Sequence, residues 1–499
     1  MRRVRPLAAA TALCVAVAWL VLLPGAAAAR GPLVTGIADS FQGPGAQLAF
    51  ARTHAAGARV ARVYLSWASV APPGSSKPAG FDASNPADPH YFWGGADRLI
   101  DGAKAAGLEP LVTVTRGPDW ATASGSGLPA SERIAGTVRP NAHEFGLFAA
   151  AVARRYSGST PGVPRVRYWQ AWNEPNHHND LNPQFAIGAS SQATRKTPLL
   201  SPDIYRGMLS EFSAAVHAVR SDNLVVAGGL APFFRPQPGV RVAAPLTFMR
   251  KLLCLSSRNR PLSGCAPLRF DVWAHDPYTS GGPTHHAVAD DDVSLGDLPQ
   301  MMRVLKAARR AGHVVSRRKL RFWITEISWD TRPPDRYGLP PRLEARWVSE
   351  MLFRSWRMGI DLVAWYQVRD APRDGVFQSG LYYRCSRGPS CDKPKPALAA
   401  FRFPLVAFRS GHKVLVWGRT PGGRKGTVIV ERKRGHGWHR VARLRTNRYG
   451  IFQRRLRISG KGSVRARLTH PRAKSLPFSL RRVRDRPVNP FGEFPPNEG

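Results

Sequence analysis

At 499 residues the chain is too long for one minimal domain, and its 43% hydrophobic content is that of an ordinary globular protein. The 73 Lys/Arg against 33 Asp/Glu leave a formal net charge of +40. A surface so basic suits an anionic polymer, such as charged cell-wall material or acidic polysaccharide, or else reflects an arginine-rich solvated face.

The chain opens with Arg2, Arg3 and Arg5 ahead of an apolar run from Leu7 to Leu23, broken by Pro24-Gly25 and followed by Ala26–Ala29. Residues 1–29 therefore read as a secretory signal peptide, with an uncleaved membrane anchor as the minor alternative. Cys14 is filler within the apolar run. Export favours an oxidising compartment and disfavours nucleic acid as a partner. The other four cysteines then pair most simply as Cys254–Cys265 and Cys385–Cys391, among three possible connectivities. No C-x-x-C spacing supports a metal site.

Between residues 30 and 402, short β-rich runs alternate with longer helical patterns. Strands are predicted at Leu33–Ile37, Arg59–Leu65, Glu109–Thr115, Arg165–Trp172, Leu224–Gly228, Arg269–Ala274, Arg321–Ile327 and Asp361–Gln367. Helices are predicted at Ala96–Ala106, His143–Tyr156, Pro202–Val219, Leu298–Gly312 and Leu343–Met358. Asp297 before Leu298-Pro299 looks like a helix start, and Gly107 and Gly312 look like stops. Eight strands, each followed by a helix or long loop, predict an α/β fold, a (β/α)8 TIM barrel. An open doubly wound sheet is the runner-up, but no glycine-rich phosphate loop follows the first strand.

After Pro394-Lys395-Pro396 the pattern changes. Short strands at Val414–Trp417, Gly426–Glu431, His439–Leu444, Gly450–Ile458 and Ser463–Leu468 predict a small all-β sandwich over 403–480. The remainder, 481–499, reads as a disordered basic tail. From residue 401 onward there are 25 Lys/Arg against Glu431, Asp485, Glu493 and Glu498. If a charged polymer is bound, this domain is the expected tether.

Two stretches carry the chemistry. Tyr168-Trp169-Gln170-Ala171-Trp172-Asn173-Glu174-Pro175 ends a strand in a carboxylate, at the end of the barrel where active sites are built. Arg321-Phe322-Trp323-Ile324-Thr325-Glu326 places one glutamate in an otherwise apolar strand, which is costly unless it is hydrogen-bonded or functional. Carboxylates at the mouths of strands four and seven face each other across a barrel. Glycoside cleavage needs such a pair, one acid for the leaving oxygen and one group for the anomeric carbon.

Trp-Asn-Glu-Pro on strand four with a strand-seven glutamate resembles clan A of the glycoside hydrolases, nearest in flavour to families 5 and 39, over residues 33–405. The resemblance implies a retaining O-glycoside hydrolase acting on β-linked sugars, with no cofactor and no metal. It implies Glu174 as acid/base, Glu326 as nucleophile, and Asn173 on the sugar 2-hydroxyl. Arg62 would support the nucleophile, and Trp365 would floor the sugar site. His275 and Tyr278 correspond less well, since Asp276-Pro277 adds a residue to the expected His-x-Tyr. Trp120 and Trp329 are further candidates for stacking on sugar rings. His177-His178 and His285-His286 are expected to line the cleft, and Asp290-Asp291-Asp292 to form a solvated loop. Transglycosylation by the same residues, or a non-catalytic carbohydrate- or wall-binding protein, are the alternatives.

Overall fold

In a computed structural model the described residues are 31–489 except 189, 373 and 374. The predicted signal peptide and the last ten residues of the predicted tail lie outside them. Eight parallel strands close into a barrel in chain order. They are β1 Val34–Ala38, β2 Val60–Ser66, β3 Glu109–Thr115, β4 Tyr168–Ala171, β5 Leu224–Leu230, β6 Val272–His275, β7 Arg321–Ile324 and β8 Leu362–Tyr366. The last strand pairs with the first, Val34 opposite Leu362 and Ala38 opposite Tyr366.

Helices cover the outside: α1 Ala46–Ala55, α2 Gly94–Ala105, α3 Ala142–Arg155, α4 Ser201–Val219, α5 Pro245–Leu252, α6 Leu298–Arg310, α7 Pro341–Met358 and α8 Pro396–Arg402. The sequence pattern misses α1 because its apolar stripe is thin, with only Phe50 and Thr53 buried. It also misses α5, a short helix of 8 residues opened by Pro245.

Strand pleat sorts the side chains. Val60, Leu111, Leu224, Val226, Val272, Ala274, Trp323, Leu362 and Ala364 form a core inside the barrel. The alternate residues pack outward under the helices in a larger core that includes Trp169, Trp273 and Trp365. Gly228 and Gly229 take φ of 86° and 68°, where a side chain would be strained, and the β5–β6 register shifts between Gly228 and Leu230.

Two antiparallel sheets follow the barrel. The first joins β9 Leu405–Ser410, β10 Lys413–Arg419 and, after two intervening strands, β13 Ile451–Leu456. The second joins β11 Thr427–Arg434, β12 Gly437–Arg445, β14 Ser463–Leu468 and the short β15 Ala473–Lys474 and β16 Phe478–Ser479. Phe408 and Trp417 of the first sheet pack on Phe353 of α7, at ring distances of 5.7 and 5.4 Å. Residues 481–489, predicted without order, instead run back to the barrel. Asp485 accepts from the Gly282 N–H at 2.6 Å and pairs with His285, and the Val488 N–H donates to the Ser280 carbonyl at 2.9 Å. Both local disulfides are formed, Cys254–Cys265 and Cys385–Cys391.

Candidate active site

Neither glutamate lies within its strand. β4 ends at Ala171, and the chain then passes through left-handed backbone at Trp172 (φ 68°) and Glu174 (φ 29°) before Pro175. Such conformations are disfavoured for side-chain-bearing residues and persist only where the surroundings hold them. Here Trp172 is fully buried and its indole N–H donates to the Asp180 carbonyl at 2.8 Å. β7 likewise ends at Ile324, two residues before Glu326. Both carboxyl groups line one cavity of about 600 Å³ at the C-terminal mouth of the barrel, together with Tyr64, Asn173, Tyr278 and Tyr366.

The two environments differ. Arg62 Nη1 and the Tyr64 hydroxyl both donate to Glu326 Oε1, and the Tyr278 hydroxyl donates to Oε2 at 2.9 Å. Three donors thus converge on a side chain that, ionised, only accepts. Arg62, fully buried on β2, also donates to Asn173 Oδ1 at 2.8 Å and to Thr113 Oγ1 at 3.1 Å. It therefore fixes the nucleophile candidate and the asparagine beside the second glutamate as one unit. Burial, reinforced by the charge of Glu326, holds the Glu174 carboxyl well above the usual carboxylate range.

Two further carboxyl groups attend the site. Asp276 accepts from Thr325 Oγ1 at 2.6 Å and lies 3.9 Å from Arg62 Nη1; burial and Glu326 push it up to about 7. Burial likewise raises Asp180 to about 7, against the pull of Arg116 and a hydrogen bond from Asn173.

Of Tyr278, His275, Trp365, Trp329 and Trp120, only Tyr278 lines the cavity. His275 is a correction: it points outward from β6, fully buried, with Nε2 on the Val293 carbonyl at 2.8 Å, and burial lowers its pKa to about 4. Ala274 faces into the barrel, so the pleat sends His275 out, and the site at this strand end is served by Asp276. Trp365 is corrected for the same reason. It faces out from β8 with its indole N–H on the Ser379 carbonyl at 2.9 Å, while its neighbour Tyr366 lines the cavity. Trp329 is buried between Trp347 and Trp365, its N–H on the Gly281 carbonyl, and offers no face to a sugar. Trp120 stands edge-on to Trp67 with its N–H on the Pro72 carbonyl, outside the cavity lining.

Of the paired histidines, His177 and His178 line the cavity, and burial lowers His177 to about 3. His285 and His286 do not line it; they pair with Asp485 and Asp297. The acidic loop is held by arginines, Asp291 by Arg250 at 2.6 Å and Asp292 by Arg195 at 3.0 Å. Tyr64 was legible in principle, being two residues from Arg62 on the same strand face. Phe233 and Phe377 of the cavity come from loops, and Arg235 from a short hairpin strand, Arg235–Gln237; none carried a signal.

No protein-family model matches the chain, and no curated protein sequence matches it. Among solved structures the chain is similar to a family 39 glycoside hydrolase from Bacteroides cellulosilyticus WH2, at 15% identity, covering 85% of this chain and 81% of that one, with a TM-score of 0.48. It is similar to a GH39 enzyme from Xanthomonas axonopodis pv. citri at 14% identity, covering 89% and 94%, with a TM-score of 0.49. A GH30 endoxylanase from Clostridium papyrosolvens C71 matches at 10% identity, covering 86% and 95%, with a TM-score of 0.43.

Proposed function

We propose that this protein is a retaining glycoside hydrolase cleaving β-O-glycosidic bonds in an oligo- or polysaccharide. The observation that carries the reading is the division of labour between two carboxyl groups of one cavity. Glu326 receives three donors, whereas burial and the charge of Glu326 hold the Glu174 carboxyl well above the usual carboxylate range. That is the pairing a double displacement requires.

Glu174 transfers its proton to the glycosidic oxygen as the bond to the anomeric carbon breaks. A Glu326 oxygen forms the new bond to that carbon, giving a glycosyl ester and releasing the alcohol. Glu174, now a carboxylate, takes a proton from water. The resulting hydroxide displaces Glu326, and the configuration is restored after two inversions. Arg62, Tyr64 and Tyr278 hold Glu326 in place for attack, and Asn173, fixed by Arg62, is positioned for the sugar 2-hydroxyl. The two disulfides suit an oxidising compartment, which supports reading the protein as secreted.

The test is chemical rescue. Glu326→Gly with azide and an activated β-glycoside should release a glycosyl azide of inverted configuration. A folded variant that binds the glycoside yet forms no azide adduct would overturn the nucleophile assignment. Product analysis at high sugar-acceptor concentration separates hydrolysis from transfer by the same residues.

A further inference from the structure

The five-stranded sheet of the C-terminal region has one face turned into the sandwich. Val428, Val430, Leu444, Val464, Ala466 and Leu468 are buried there. The pleat sends the alternate residues to the other face, and those are cationic on three adjacent strands. Arg443 and Arg467 flank Ile429, and Arg440 and Arg465 flank Glu431. Lys433 pairs with Trp438 at the end of the same row.

Like charges on neighbouring strands repel and lower stability, so a face of this composition calls for counter-charge. The sequence supplies little of it. Between residues 403 and 489 the only acids are Glu431 and Asp485. Asp485 is taken up by the barrel. Glu431 is spent inside the face, accepting from Arg465 at 2.7 Å and Arg467 at 3.1 Å. Arg440, Arg443 and Lys433 remain exposed. Trp438 lies beside them with the Arg465 guanidinium 4.1 Å from its ring centre.

We infer that this face of β11, β12 and β14 binds an extended acidic polysaccharide bearing carboxylates on its sugars. Strands spaced about 4.8 Å apart, with same-face residues about 6.8 Å apart along each, give a rigid lattice of cations that a repeating anion can follow. Guanidinium groups match carboxylates in a planar, two-pronged geometry. Trp438 adds what a purely ionic surface lacks, a flat apolar ring for the C–H face of a sugar. Charge complementarity selects the polymer and the tryptophan selects sugar over other polyanions. The face goes beyond the catalytic reading and does not depend on it, since binding is measured without turnover.

The experiment is retention of the full-length protein on immobilised alginate, with carboxyl-reduced alginate and inorganic polyphosphate as probes that keep only the rings or only the charge. Lys433→Glu/Arg440→Glu/Arg443→Glu should lower alginate affinity about tenfold or more and flatten its dependence on salt. The charge-matched control Arg303→Glu/Lys306→Glu/Arg310→Glu, on exposed positions of α6, should change it less than about twofold by the same screening argument. Trp438→Ala should weaken alginate but leave polyphosphate unchanged. Equal losses in both triple variants would overturn the proposal, since the binding would then come from diffuse net charge. Equal retention of polyphosphate and alginate by the wild type would overturn the sugar component. Matching thermal unfolding of all variants guards against misfolding. Wild-type protein that hydrolyses a soluble glycoside but is not retained on alginate would count against this face alone, and wild-type retention without hydrolysis against the catalytic reading alone.

Discussion

The Tyr278 hydroxyl donates to Glu326 Oε2 at 2.9 Å, on the opposite oxygen from the one held by Arg62 and Tyr64. Tyr278 reaches it because the chain turns at Asp276-Pro277 after β6 ends, so a residue three positions past an outward-facing histidine enters the site. Removing the hydroxyl with Tyr278→Phe leaves packing unchanged and deletes one donor to a charged acceptor. Such a bond is worth ~1.5–3 kcal/mol, so kcat/KM should fall roughly ten- to hundredfold. Steady-state kinetics on an activated glycoside check it, and an unchanged rate would remove Tyr278 from the machinery.

The pH profile follows from Glu174. Burial first, and the Glu326 charge second, raise its carboxyl well above the usual carboxylate range. The general acid must be protonated, so activity persists above the ordinary carboxylate range and declines as pH rises through the raised value. Glu174→Gln should abolish this alkaline limb for a substrate with a good leaving group, whose departure needs no proton. Persistence of the limb in that variant would assign it to another group.

At the end of β6, neighbouring residues have separate fates. His275→Leu removes a buried imidazole and strands the Val293 carbonyl, costing ~1–3 kcal/mol of stability, with kcat/KM little changed. Asp276→Asn, by contrast, alters a group hydrogen-bonded to Thr325 and close to Arg62 and should depress kcat with little loss of stability. Thermal unfolding and kinetics on both variants read the contrast, and the reverse pattern would restore His275 to the site.

The same pairing recurs on β8. Trp365→Ala empties a fully buried position and should destabilise the protein by ~3–5 kcal/mol. Tyr366→Ala opens the cavity wall instead and should raise KM for the glycoside. A KM effect confined to Trp365 would show the tryptophan to be the sugar floor after all.

Much of the fold is legible in the sequence. The alternation of β-rich runs with helical stretches located all eight barrel strands, and β3 has the predicted bounds, Glu109–Thr115. Local loop lengths favoured the two disulfides that form. Arg62 could be placed because it sits inside a regular strand, where position dictates direction. Composition describes solubility and says nothing of a single aspartate, Asp485, finding two partners on the barrel.

The sequence by itself determined the barrel, its strand order and the two chain positions at which carboxyl groups meet its mouth, since these depend on local periodicity that each segment carries alone. Tertiary structure decided which of two adjacent residues enters the site. The pleat has a period of two, so an error of one residue at a strand end exchanges Asp276 for His275 or Tyr366 for Trp365. Beyond the strand ends even that rule lapses. The left-handed turn through Trp172 and Glu174 is fixed by what packs around it, and no stretch of sequence contains its own surroundings.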